Sequence, residues 1–438
     1  MSGDAGARRG AGFHLATLAA AALLAIAETW PLVTVLTTHF PQQSHPVTGA
    51  KHPGAKTDQL LTSWILASNV RRLGEDPLGV FETNNMAPFR RTLAYSENLL
   101  GMTPLVWPVQ VVWDNPVLTN NLALLAVLAL NAYGVVLLVH ELTGSLLAAL
   151  AGAALATYAP FVWANIDQLH ITAGQSAALA WFALARLVRT GRWRWAVALA
   201  AFTSWQWWAS LHWGLFLSLG LASGVPVLLV LSGDARRVLP QLLAAGVLAV
   251  VLTAPLAIPY AAIAREMGHR DASHILFLFL PWLVLPPLHR PLDHLRELLG
   301  RTVRQNAMMT LAPWVAMAAG LLASLVVRRP RRIPFAMLAA LATAGVVNFW
   351  YACGTVEWYG IPSLFRALSG IPGLGIVRAP VRAVCYTSLM VAVLGGCGLG
   401  ALLRRLGSPL LRGAAVAGVL AIAVVEAGWR PAGVVAAP

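Results

Sequence analysis

The chain has 438 residues, of which 58% are hydrophobic and only 11% charged, and its mean hydropathy is +0.68. Soluble domains carry about 25% charged residues, so a soluble globular class is excluded. The formal charge of +14 would elsewhere point to nucleic acid, but here the arginines gather in short linkers between apolar runs, the pattern that sets membrane topology, and no nucleic-acid partner is expected.

The apolar runs are rich in Leu, Ala and Val and too long for barrel strands, so they read as membrane helices of an all-α polytopic bundle. The first run follows Arg8 and Arg9. It is too long for a signal-peptide core and holds Glu28 and Pro31 without a small-residue cleavage site, so it reads as an uncleaved span. With about 20 apolar residues needed per crossing, eleven spans are predicted: 12–38, 117–141, 145–163, 170–188, 195–212, 213–231, 238–260, 309–327, 333–352, 380–403 and 410–428. The whole of 1–438 then forms one transmembrane domain, with no soluble domain after the last span.

With eleven spans, the linker arginines share one side: Arg186, Arg189, Arg192 and Arg194; Arg236 and Arg237; Arg328, Arg329, Arg331 and Arg332; Arg404 and Arg405. By the positive-inside rule that side is cytoplasmic, and the C-terminus falls outside. Segments 39–116, 164–169, 261–308 and 353–379 face outward and carry most of the acids and histidines. Chemistry is therefore expected on the outer face, where no nucleotide is at hand.

The first outer loop opens with "DQLLTSWILASNVRRL" from Asp58. Its apolar positions recur at helical spacing, with Gln59, Ser63, Asn69 and Arg72 opposite, the pattern of an amphipathic helix lying on the membrane surface. Asp58 then caps that helix, serves as base or metal ligand, or does both. Downstream the loop carries Glu82, Arg90, Arg91, Ser96 and Glu97. Glu97 precedes an apolar run, so it is read either as a cap or, with Ser96, as a polar pair at the membrane surface. The run 98–112 is read as an interfacial element and the Pro-broken run 276–287 as interfacial or re-entrant.

Later segments supply further candidates. His170 follows Asn165, Asp167 and Gln168 at the outer end of the fourth span, as an interfacial histidine or a donor to phosphate or sugar. His212 ends the fifth, among Trp205, Trp207, Trp208 and Trp213, which read first as an aromatic belt. Arg378 and Arg382 lie four residues apart at the start of the tenth, either snorkelling to headgroups or gripping a lipid phosphate with their planar forks. The groups His269, Asp271, His274 and His289, Asp293, His294 lack zinc-site spacing, and "GIPGLGI" at 370–376 follows no strand and reads as a loop. Cys353, Cys385 and Cys397 lie in or near spans without metal spacing or a disulfide framework.

A long first outer loop with an acid just after the first span, followed by many spans, resembles the GT-C superfamily of integral-membrane glycosyltransferases, in a largely uncharacterised bacterial branch. The segments that carry the resemblance are "TDQLLTSWILA", "FETNNMAPFRRTLAYSENLLG", "NPVLTNNLALL", "HELTG", "NIDQLHI" and "VRAPVRA". The resemblance implies an inner-membrane enzyme that moves a hexosyl or pentosyl group, with inversion, from a polyprenyl-phosphate donor to an extracytoplasmic lipid, glycan or protein. It places Asp58 as general base or metal ligand and Arg378 and Arg382 on the donor phosphate. Glu97, His170, Ser96, Arg90 and Arg91 are secondary candidates, and a divalent ion (Mg or Mn) held by Asp58 is the cofactor such chemistry admits. The chain departs from the family in having a single acid at the Asp58 position rather than an adjacent pair. Two other classes compete: a non-catalytic protein of the same fold that binds lipid or a partner, and a transporter or flippase of lipid-linked sugars. The latter calls for ionisable groups near the bilayer midplane, where Glu28 is the main one.

Overall fold

The computed structural model describes residues 10–42, 55–233, 235–267, 311–325, 332–354, 361–370, 377, 379–427 and 433–437. The first-loop elements are β1 (His39–Gln42), α2 (Ala55–Glu75) and α3 (Thr103–Trp113), after α1 (Ala11–Thr29). The bundle continues with α4 (Pro116–Thr143), α5 (Leu146–Thr157), α6 (Pro160–Ala164), α7 (Leu169–Thr172), α8 (Ala177–Thr190), α9 (Trp193–Ala209), α10 (Leu211–Ser232) and α11 (Ala235–Met267). It closes with α12 (Leu311–Leu325), α13 (Arg332–Ala352), the short α14 (Leu364–Leu368), α15 (Val384–Leu403), α16 (Pro409–Ala427) and β2 (Gly433–Ala436).

Among the described residues, seven helical segments are long and apolar enough to cross a membrane: Ala11–Thr29, Pro116–Thr143, Leu169–Thr190, Leu211–Ser232, Arg237–Glu266, Phe335–Ala352 and Pro380–Leu403. The protein is thus a multi-pass helical membrane protein. The other four predicted spans coincide with α5, α9, α12 and α16, whose apolar stretches are shorter. At 12 residues, α5 reaches only about 18 Å of a hydrocarbon core roughly 30 Å thick. Seven crossings are thus shown among the described residues, against the eleven predicted. The first helix also stops short of the predicted residue 38, because Pro31 follows its last turn.

Small residues let the central helices approach. Gly152 of α5 lies against Gly396 of α15, where an added Cβ would come within 3.3 Å of the facing Cα. Trp181 of α8 donates to the Tyr386 hydroxyl of α15 at 2.7 Å, and both side chains are fully buried.

The bundle has two chemically distinct ends. At one, Glu141 at the close of α4 pairs with Arg186 at 3.3 Å and Arg189 at 2.6 Å. Arg404 donates to the Thr143 carbonyl there, and the Arg237 guanidinium lies beside Gly191. Arg186, Arg189, Arg237 and Arg404 are thus brought together, while Arg328, Arg329 and Arg331 lie outside the described residues. At the opposite end β1 pairs antiparallel with β2, His39 facing Ala436 and Gln42 facing Gly433. The all-α reading missed this ribbon. It joins the stretch after the first span to the stretch after α16.

In α2 the sequence and the structure disagree about faces. Gln59, Thr62, Ser63 and Asn69 are buried together with Ile65 and Leu66, whereas Leu60 and Leu61 are exposed. The polar stripe faces protein: Gln59 donates to the Pro41 carbonyl, Thr62 donates to Asn120 at 2.8 Å, and Asn69 donates to the Asn98 carbonyl at 2.7 Å. A buried polar stripe is stable only when its hydrogen bonds are made, and α4 and the loop supply those partners. By contrast, α3 ends in the exposed Val111, Val112 and Trp113.

Candidate functional site

The site begins in the short loop 96–101, which three helices pin. Asn69 of α2 holds the Asn98 carbonyl, and Tyr260 of α11 donates to the Ser96 carbonyl at 2.8 Å. From α9, Trp205 donates to the Gly101 carbonyl at 2.6 Å, while the Gly101 N–H donates to the Trp208 carbonyl at 2.7 Å. A Cβ on Gly101 would lie 2.6 Å from the Ala209 nitrogen, so this approach requires glycine.

The loop thereby sets Glu97 on the N-terminus of α10. One carboxylate oxygen accepts from the Leu211 N–H at 2.6 Å. The other accepts from the Ser210 hydroxyl at 3.4 Å, the His212 N–H at 3.3 Å and the His212 Nδ1. A carboxylate here satisfies N–H groups that have no partner inside the helix and meets the positive end of its dipole. Burial pushes the Glu97 carboxyl up, but the nearby His212, its hydrogen bond, His170 and the Leu211 N–H outweigh that and hold it at about 2.

On its far side, His212 presents Nε2 to Arg382 Nη1 at 3.3 Å. Guanidinium only donates, so Nε2 is the acceptor and Nδ1 carries the hydrogen toward Glu97. The His170 ring lies 6.5 Å from that of His212, centroid to centroid. His170 is positioned by the break between α7 and α8: Trp213 donates to the Ile171 carbonyl at 2.6 Å, and Gln206 donates to the Ala173 carbonyl at 2.6 Å. The Gln206 side-chain oxygen also accepts from Ser176 N–H and Oγ, at 3.1 and 2.9 Å.

The structure therefore brings together Glu97, His170 and Arg382 from the sequence candidates and adds His212 as their hub. Ser96 contributes its backbone carbonyl. Arg378 lies outside the described residues, as do the His–Asp groups at 269–274 and 289–294. Arg90 is mostly exposed and pairs with Glu82 at 3.6 Å, while Arg91 reaches Glu266 at 3.3 Å and its N–H donates to Glu82. Both arginines shape the loop away from the cluster. Asp58 sits half-buried in the first turn of α2. It precedes Asn69, the α2 residue that touches the Glu97 loop, by eleven positions, roughly 16 Å along a helix.

The sequence groups His212 with the tryptophans because a continuous apolar run does not mark where one helix ends and the next begins. The fifth predicted span runs to 212, but the break falls at Ser210, which caps α10 and puts His212 in its first turn. The tryptophans themselves are structural donors more than a belt: Trp207 donates to Ser218, Trp208 to the Leu252 carbonyl, and Trp213 is buried. A serine before an apolar run is the local signal that marks the true start of α10. No local signal joins His212 to Glu97, 115 residues earlier.

Among the described residues no group of three or more His, Cys, Asp or Glu side chains is arranged to hold a metal ion. Chemically, the cluster offers one cationic fork for an anion, an imidazole with a fixed tautomer, and a buried carboxylate behind it. Compared with models of known protein families the chain matches none, and no curated protein proves similar in sequence.

Proposed function

We propose that this protein is a membrane glycosyltransferase that moves a sugar, with inversion, from a polyprenyl-phosphate donor to an extracytoplasmic acceptor. One observation carries the reading: a carboxylate from the first loop, a histidine and an arginine meet at the bundle end opposite the arginine-rich linkers. Such a transfer needs a group to receive the acceptor's proton and a cation to stabilise the departing phosphate. In this reading Arg382, together with Arg378, binds the phosphate. The Glu97–His212 pair serves the proton, and Asp58 is retained as a candidate base or ligand of a divalent ion. The positive-inside rule then puts the site on the outer face of a bacterial cytoplasmic membrane.

The test is turnover by purified protein in nanodiscs, given radiolabelled polyprenyl-phosphate sugars with and without Mg or Mn. Wild type is expected to release lipid phosphate, with Glu97→Gln and Arg382→Gln at least about 100-fold slower. Asp58→Asn in the same assay decides whether that carboxylate takes part. Tight lipid binding without turnover would sink the enzyme reading in favour of a non-catalytic lipid-binding protein.

A transporter of lipid-linked sugars is the second reading, favoured by Glu28. It lies in the first span with no exposure, and among the described residues neither carboxylate oxygen has a hydrogen-bond partner. Ionisable groups so placed commonly mark transport pathways. Transbilayer movement of a labelled lipid-linked sugar in proteoliposomes, abolished by Glu28→Gln, would favour it.

A further inference from the structure

Glu97 is poorly suited to receive a proton itself. Four donors from Ser210, Leu211 and His212 occupy its two oxygens, and it is 7% exposed. What the carboxylate does is fix the imidazole: its bond to Nδ1 turns Nε2 outward as the acceptor. Yet Nε2 is not open. Arg382 Nη1 covers it at 3.3 Å, a long contact for a charged donor. Guanidinium prefers a phosphate, which offers full charge and two oxygens in matching geometry. An arriving phosphate therefore competes with imidazole for the same N–H group.

We infer that His212 is the proton acceptor of this site, that Glu97 is its positioning residue, and that Arg382 masks His212 Nε2 until a phosphate draws the guanidinium away. The inference rests on the glycosyl-transfer reading for its chemistry, though the mask itself does not. In the transfer, the acceptor hydroxyl oxygen forms a bond to the anomeric carbon as the bond from that carbon to the phosphate oxygen breaks. The electron pair of the broken bond leaves on the polyprenyl phosphate, against Arg382. The hydroxyl proton passes to His212 Nε2, and Glu97 stabilises the imidazolium that results. Water then takes that proton and resets the ring. The arrangement makes the base available only when donor phosphate is bound, which guards against idle proton transfer to water.

Among the described residues, the groups facing the imidazole are Glu97 from the first loop, His170 from α7 and Arg382 ahead of α15, with Phe216 along α10. Tyr260 stands behind Glu97, bonded to the Ser96 carbonyl. Among these Arg382 is the cation, and its planar fork is the group that a phosphate would draw.

The experiment is labelling of unprotonated histidine by diethyl pyrocarbonate in nanodiscs near neutral pH, read peptide by peptide by mass spectrometry. Wild-type His212 is expected to react slowly. Arg382→Gln is expected to raise its rate about fivefold to tenfold, since a freed nitrogen is both uncovered and nucleophilic. Geranyl phosphate should raise the wild-type rate toward that of the variant and leave the variant unchanged, whereas geraniol should do nothing. Inorganic phosphate alone tests whether the lipid chain is needed. Arg382→Lys serves if the glutamine variant misfolds, and unchanged labelling of His14, which is bonded to Tyr133, reports an intact bundle. A His212 rate that ignores both the variant and geranyl phosphate overturns the mask.

The pH–rate profile of transfer tests the other half. Glu97→Gln keeps an acceptor for Nδ1 but removes the charge that stabilises the imidazolium formed in transfer, so the acidic limb should move to lower pH. An unmoved limb, or His212→Asn turning over at the wild-type rate, overturns the proton-acceptor assignment while leaving glycosyl transfer standing. Phosphate-dependent labelling without any sugar transfer does the reverse: the mask stands and the glycosyl reading fails.

Discussion

At the scale of single residues, the site depends on an ionised carboxylate in a buried position. Glu97 titrates at about 2 in the folded protein, below the ordinary value near 4.3. A depressed carboxylate contributes stability above its unfolded pKa, and that contribution is lost as pH falls through the folded value. The Glu97 charge should thus stabilise the fold above about pH 4.5, a contribution that fades as pH falls toward about 2. Thermal unfolding of wild type and Glu97→Gln in nanodiscs across that range checks it: the gap in Tm should be constant above pH 5 and narrow below. A gap independent of pH would mean that the loop, not the charge, matters. Glu97 and Arg382 were both legible in sequence, as an acid ahead of an apolar run and an arginine at a span's start. For Asp58, sequence order reports nearness to the first span and says nothing of nearness to His212. His212 itself was overshadowed by four tryptophans.

Among the helices, apolar runs located every predicted span on a helix, because burial of long apolar stretches dominates there. What they did not reveal is how helix ends and breaks are satisfied. The break between α7 and α8 sits inside the bundle, and Gln206 from α9 closes it through Ala173 and Ser176. Broken backbone at membrane depth persists only where protein groups replace the missing bonds. Gln206→Leu strands the Ser176 N–H and the Ala173 carbonyl, at a cost of about 2–4 kcal/mol for groups left unpaired. It should also loosen His170, so unfolding temperature falls and His170 labelling by diethyl pyrocarbonate rises together. A lower Tm with His170 unchanged would separate the break from the site. In α2 the same physics buried polar residues beside the apolar Ile65 and Leu66. Alternation of polar and apolar residues identifies two faces without saying which meets water, and here Gln59, Thr62 and Asn69 found partners inside. Gly101→Ala belongs to this scale as well: its Cβ would collide with the start of the break between α9 and α10. It should therefore displace Glu97 and lower transfer as severely as Glu97→Gln, with a crystal or cryo-EM map of the variant showing the loop moved off Leu211.

For the whole molecule, the arginine count and the two-stranded ribbon make independent statements about sidedness. Arg186, Arg189, Arg237 and Arg404 converge on one end, an assembly that the linkers alone made legible. The ribbon was invisible in sequence, since four residues such as "GVVA" carry no periodicity to separate a strand from a loop. Its pairing nevertheless fixes that the stretches following α1 and α16 lie on the same end, with Phe40 buried beneath it. Thr37 and Ala436 are exposed at that end. Gly407, in the turn between α15 and α16 beside Arg404 and Arg405, is exposed at the other and has open space around it. The native thiols Cys353, Cys385 and Cys397 are buried, so an introduced cysteine reports its own position. In right-side-out vesicles a membrane-impermeant maleimide should label Thr37→Cys and Ala436→Cys directly, and Gly407→Cys only after the membrane is opened. The first two must behave alike whatever the orientation, because the ribbon joins them, and opposite labelling of the pair would break the fold described here. If instead Gly407→Cys labelled from outside, the ribbon would survive but the bundle would be reversed. The Glu97–His212–Arg382 cluster would then face the cytoplasm, where nucleotide-linked donors compete with lipid-linked ones.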